Sequence, residues 1–147
     1  MLQTVRRLLL AVLTIALLGT ALDLLLLAHY EDGWQWLPLV MIALALASVA
    51  WLWRSPTASA VTTLRIVMVL VVATGLVGIL LHYKGNREFQ HEMDPGLAGW
   101  TLFITVMTAK APPALAPAAM IQIGLLGLIA TYRHPAVRHT SLNTWSE

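Results

Sequence analysis

Residues 6–30 read RRLLLAVLTIALLGTALDLLLLAHY, two arginines followed by a long apolar run whose single charge is Asp23, then His29-Tyr30. A soluble amphipathic helix shows a polar face every three to four residues, and this run has none. About 20 apolar residues instead match the ~30 Å hydrocarbon core of a bilayer. There a helix satisfies all its own backbone hydrogen bonds, with no water to help. Arg6-Arg7 ahead of an apolar stretch also suggests a secretory signal. The stretch is too long for the core of one, however, and no Ala-x-Ala-like site follows, so it reads as a retained first helix.

Working outward, residues 37–53, 64–81 and 114–132 repeat the pattern. The fold expected is an all-α integral membrane protein of four transmembrane helices. The second and third runs are slightly short, which places their flanking Trp, Tyr and Arg in the interface. Composition agrees: the 147 residues are 59% hydrophobic and 11% charged, against roughly half and a quarter in globular proteins. With no cysteine, disulfides, thiolate metal sites, iron–sulfur clusters and a cysteine nucleophile are excluded. The small excess of Lys and Arg is spread singly or in pairs beside apolar runs, so it orients helices and does not form a nucleic-acid surface.

With the N-terminus inside, Arg6, Arg7, Arg54, Arg65, Arg133 and Arg138 all fall on the cytoplasmic side. Lys84, Arg87 and Lys110 fall outside with Glu31, Asp32, Glu88, Glu92 and Asp94. This bias gives a bacterial-type inner membrane protein with both termini cytoplasmic. Tyr30, Trp34, Trp36, Tyr83 and Trp100 would form an outer aromatic belt, and Trp51, Trp53 and Tyr132 an inner one.

The chain also reads as duplicated. His29-Tyr30 and His82-Tyr83 follow the first and third runs, Pro38-x-x-Met41-Ile42 and Pro117-x-x-Met120-Ile121 open the second and fourth, and Trp53-Arg54-x-Pro56 and Tyr132-Arg133-x-Pro135 close them. One membrane domain over 1–147 would then hold repeats at 5–58 and 59–138, an outer-loop insertion at 84–113 and a cytoplasmic tail at 139–147. Two-helix units enter the membrane in one direction, giving parallel repeats about a pseudo-twofold axis along the normal. Chance is the competing reading, since Arg, aromatics and Pro are ordinary helix-end signals. Within the insertion, residues 97–109 are apolar but too short to span, so a short interfacial or re-entrant helix is expected between Asp94-Pro95-Gly96 and Ala111-Pro112-Pro113.

The candidate chemistry is sparse. His29 and His82, each beside a tyrosine (Tyr30, Tyr83), would face each other across the pseudo-axis and could ligate a b-type haem or hold a quinone headgroup. Equally, imidazole and phenol are at ease at the headgroup level. Glu88-x-x-His91, with His82, Glu92 and Asp94, offers a mixed nitrogen and oxygen set for a divalent metal, or simply a solvated polar loop. Asp23 lies at the depth of Gln122, and the two could share a hydrogen bond, as a fastener between helices or part of a transport path. Gly75, Gly78, Gly124, Gly127, Ala43, Ala47 and Ala50 permit close helix approach within the bundle; facing outward, small residues would instead indicate a partner subunit.

No catalytic triad, phosphate-binding loop or dinucleotide fingerprint occurs. The expected function is therefore non-enzymatic: a small scaffold or accessory subunit of a larger membrane complex. The expected partners are the lipid bilayer and other membrane subunits or a second copy, with no nucleic acid. The alternatives are a haem- or quinone-binding redox protein and a small transporter or metal-handling protein.

Overall fold

The computed structural model describes residues 2–138, so the tail expected at 139–147 lies outside the described residues. The elements are α1 (Leu2–Leu26), α2 (Trp36–Arg54), α3 (Ala58–Met93), α4 (Gly99–Met107), α5 (Ala118–Ala130) and one turn, α6 (Pro135–Arg138). No strand occurs among the described residues. α1, α2 and α3 are long and apolar enough to cross a membrane.

α1 packs on α2 and α5, and α3 packs on α2 and α5. The four helices thus form a ring with α1 and α3 across from each other. Short connections make neighbours antiparallel. The start of α1, the α2–α3 connection and the end of α5 share one end, here the arginine end; His29, His82 and α4 mark the opposite, histidine end.

The inner face of α1 is Leu10, Leu13 and Leu17, and α3 contributes Val61, Leu64, Met68 and Val71. The outer faces are equally apolar: Leu8, Val12, Ile15, Leu18 and Leu22 of α1 stay exposed, as do Ile66, Val69 and Leu70 of α3. Faces this apolar are at home in lipid, where the tails solvate leucine as well as a core does. The hydroxyls of Ser48, Thr74 and Thr131, all buried, donate to the carbonyls of Leu44, Leu70 and Gly127 one turn back, so they bring no unmet donor into the bundle.

Glycine sets the closest approach, between α3 and α5. A Cβ on Gly124 would lie 2.7 Å from the backbone oxygen of Met68, and one on Gly75 3.0 Å from that of Pro117. Gly78 faces Pro117, and Gly127 faces the Met68 side chain. The alanines differ: Ala43 and Ala47 are exposed and Ala50 half-buried.

Two expectations need correction. The fourth run, 114–132, yields a helix of only 13 residues, about 20 Å long. Pro112, Pro113 and Pro117 remove backbone donors ahead of it, and Arg133, at φ 46°, closes it in the left-handed region. Second, residues 84–93 do not begin a loop. They continue α3 to 36 residues, about 54 Å and well beyond a hydrocarbon core. Lys84, Arg87, Glu88 and Gln90 are good helix formers, Lys84 and Glu88 pair at 3.8 Å, and Asp94-Pro95 stops the helix. Hydropathy marks where apolar character ends, which here is a full three turns before the helix ends.

α4 falls where a short apolar helix was expected. Leu102 and Val106 are buried as it returns along α3, with Phe103 meeting Tyr83 at a centroid distance of 6.2 Å and Trp100 stacked on Phe103 at 5.0 Å. Trp100 itself is 73% exposed.

Candidate functional site

The end of α1 is shaped by its last carbonyls. Ala28 takes the left-handed conformation at φ 51°, its N–H donates to the Leu25 carbonyl at 3.1 Å, and the His29 N–H donates to the Leu24 carbonyl at 2.8 Å. This is a Schellman closure, with alanine where glycine is usual. It turns the chain so that the half-buried His29 ring comes to 6.3 Å from the His82 ring, the planes inclined at 61°. α3 runs straight through His82, so the two His-Tyr pairs occupy different local structures.

His82 Nδ1 lies 3.0 Å from the Pro113 carbonyl. A carbonyl only accepts, so Nδ1 carries the proton and Nε2 is left as the acceptor or ligand nitrogen of the neutral ring. One turn on, Asn86 Nδ2 donates to the Pro112 carbonyl at 2.9 Å, and Asn86 is only 4% exposed. α3 therefore grips the segment leading into α5 by two successive carbonyls, of which that of Pro113 also accepts from the Ala116 N–H at 3.2 Å. Asn86 carried no signal in the sequence, being one polar residue in a polar stretch. The tyrosines part company: the Tyr30 ring sits 6.2 Å from Trp36 and Tyr83 packs on Phe103.

The other candidates are dispersed. Asp23 and Gln122 are both exposed, and no hydrogen bond joins them although α1 and α5 touch; at similar depth they point away from the seam. Glu88, His91, Glu92 and Asp94 lie on or just past the end of α3. Among the described residues no three His, Asp or Glu side chains gather closely enough to hold a metal ion. Glu88 and His91, three apart on α3, share a face, but two side chains close no site and no third ligand joins them among the described residues.

The arginine end holds a second constellation. Arg6 Nη2 donates to the carbonyls of Tyr132, at 3.3 Å, and Arg133, at 2.9 Å. Arg65 donates to the Thr131 carbonyl. Two guanidinium groups from opposite helices thus cap the end of α5, where the last carbonyls carry partial negative charge; that of Thr131 also accepts from the His134 N–H at 3.2 Å. A cleft of about 310 Å³ opens beside them, lined by Arg6, Arg7, Leu10, Leu52, Trp53 and His134 among others. Burial first, then the positive charges of Arg6 and Arg65, hold the His134 pKa below the ordinary 6.5, since each disfavours the imidazolium. From sequence these arginines carried only orientation.

No family model, curated protein or solved structure matches this chain.

Proposed function

We propose that the chain is a four-span accessory or scaffold subunit of a larger membrane complex, in a bacterial-type inner membrane with both termini cytoplasmic. The observation that carries this reading is the outward face of α2. Val40, Ala43, Leu44, Ala47 and Trp51 are all exposed, a surface with small residues one turn apart. Lipid gains nothing from alanine over leucine there, whereas a second helix gains close backbone approach. The absence of cysteine makes the test direct. Ala47→Cys should form a crosslink to another membrane protein or to a second copy, and Ala43→Trp should abolish it. Recovery of this protein alone from mild detergent, with no crosslink in membranes, would count decisively against the reading.

A fourth crossing is supported by what holds the two ends of α5. His82 meets Pro113 at one end and Arg65 meets Thr131 at the other; on α3 these two residues are about 26 Å apart. The chain from Pro113 to Thr131 therefore covers nearly the thickness of a hydrocarbon core, with turns completing what the helix lacks. The ring order, with α1 opposite α3 and α2 opposite α5, is the one that parallel repeats about a pseudo-twofold axis would require.

The His29–His82 contact favours a second reading, a redox protein holding a quinone or b-type haem between these rings. At 6.3 Å the separation suits an ordinary edge-to-face pair, and it also lets a single ligand atom approach both rings. An absorption spectrum lacking a Soret band, with quinone content unchanged after both histidines become alanine, would remove this reading.

A further inference from the structure

We propose that the cleft at the arginine end binds the phosphate of an anionic glycerophospholipid, Arg7 and the free edge of Arg6 gripping the headgroup and Leu10 and Leu52 receiving the start of an acyl chain. The inference rests on the membrane setting that the three long apolar helices support, and not on the accessory-subunit reading.

The first argument is charge without compensation. Arg7 is exposed and makes no hydrogen bond or ion pair among the described residues. Arg6 spends one nitrogen, Nη2, on the two carbonyls, which leaves its other N–H groups available. Glu31, Asp32, Glu88, Glu92 and Asp94 belong to the histidine end, and Asp23 is about 24 Å along α1 from Arg7. No carboxylate among the described residues therefore neutralises this end, where Arg54, Arg65 and Arg133 add to the field. Guanidinium groups take phosphate in a bidentate, charge-assisted grip.

The second argument is shape. A site for free phosphate would be polar throughout. This one has a cationic mouth above Leu10 and Leu52, which are 7% and 3% exposed, and Trp53 on its wall. Such a gradient matches a lipid lying with its headgroup at the interface. Burial, and after it the positive charges of Arg6 and Arg65, lower the basicity of His134 on the cleft wall, and a bound anion would oppose the charge part.

The test uses the full-length protein in mild detergent, titrated with phosphatidylglycerol and observed by native mass spectrometry, with phosphatidylcholine and inorganic phosphate as separate arms. Phosphatidylglycerol should stay bound to the wild type. Arg7→Gln should weaken retention at least about tenfold, while Arg54→Gln, at the same end but outside the cleft lining, should change it less than twofold. In NMR titrations the His134 pKa should rise on adding the lipid, and fail to rise in Arg7→Gln. Equal losses in the two arginine variants, equal retention of phosphatidylcholine, or full displacement by millimolar inorganic phosphate would each overturn the proposal.

Discussion

Ala28 sits in the left-handed region at the end of α1, a conformation that costs a residue with a Cβ about 1–2 kcal/mol. Ala28→Gly should therefore raise stability by about 0.5–1 kcal/mol, once the greater freedom of glycine in the unfolded chain is subtracted. Thermal unfolding in detergent measures this, and the His29 ring should keep its place. Asn86→Leu should act in the opposite sense. It removes the buried amide that donates to the Pro112 carbonyl, and losing that hydrogen bond should destabilise by about 0.5–1.5 kcal/mol. His134 makes stability depend on pH: its folded pKa lies below 6.5, so the unfolded chain binds the proton first. The stability difference between wild type and His134→Gln should be constant above pH 6.5. It should then shift against the wild type as pH falls from 6.5 towards the folded value. None of these residues announced itself in the sequence, because a left-handed alanine and a buried asparagine are products of their neighbours.

The α3–α5 seam carries the plainest prediction for helical elements. Gly124→Ala puts a methyl against the Met68 backbone oxygen, which cannot rotate away, and should cost about 1–3 kcal/mol as overpacking. Gly19, where an added Cβ meets nothing within 4 Å, is the control, and Gly19→Ala should be neutral or stabilising. The glycines of this seam were legible as packing residues from sequence, and the structure places all four against the facing helix. The alanines of α2 were not, since Ala43 and Ala47 face outward. The reach of α3 was equally hidden. The apolar run stops at residue 81, but propensity and the Lys84–Glu88 pair carry the helix to Met93.

For the whole molecule, a chain free of cysteine lets single introduced cysteines report topology. Asp32→Cys and Gly96→Cys should label with an impermeant thiol reagent from one side of the membrane. Ser55→Cys and Arg133→Cys should label only from the other. Labelling of Arg133→Cys together with Gly96→Cys would show that α5 does not cross. The architecture was readable this far from sequence because hydropathy is local: each apolar run and each flanking arginine can be identified without knowing its neighbours. The three long helices, the short helix near residues 97–109 and the sorting of aromatics to the two ends all follow from it. Tertiary structure alone decided which faces turn inward. In a chain apolar on every side, lipid and core look alike to a leucine, so no polar stripe fixes the rotation of a helix about its axis. That rotation brings His29 to His82, leaves Asp23 and Gln122 apart, and gathers Arg6, Arg65 and His134 around the end of α5 to make the cleft.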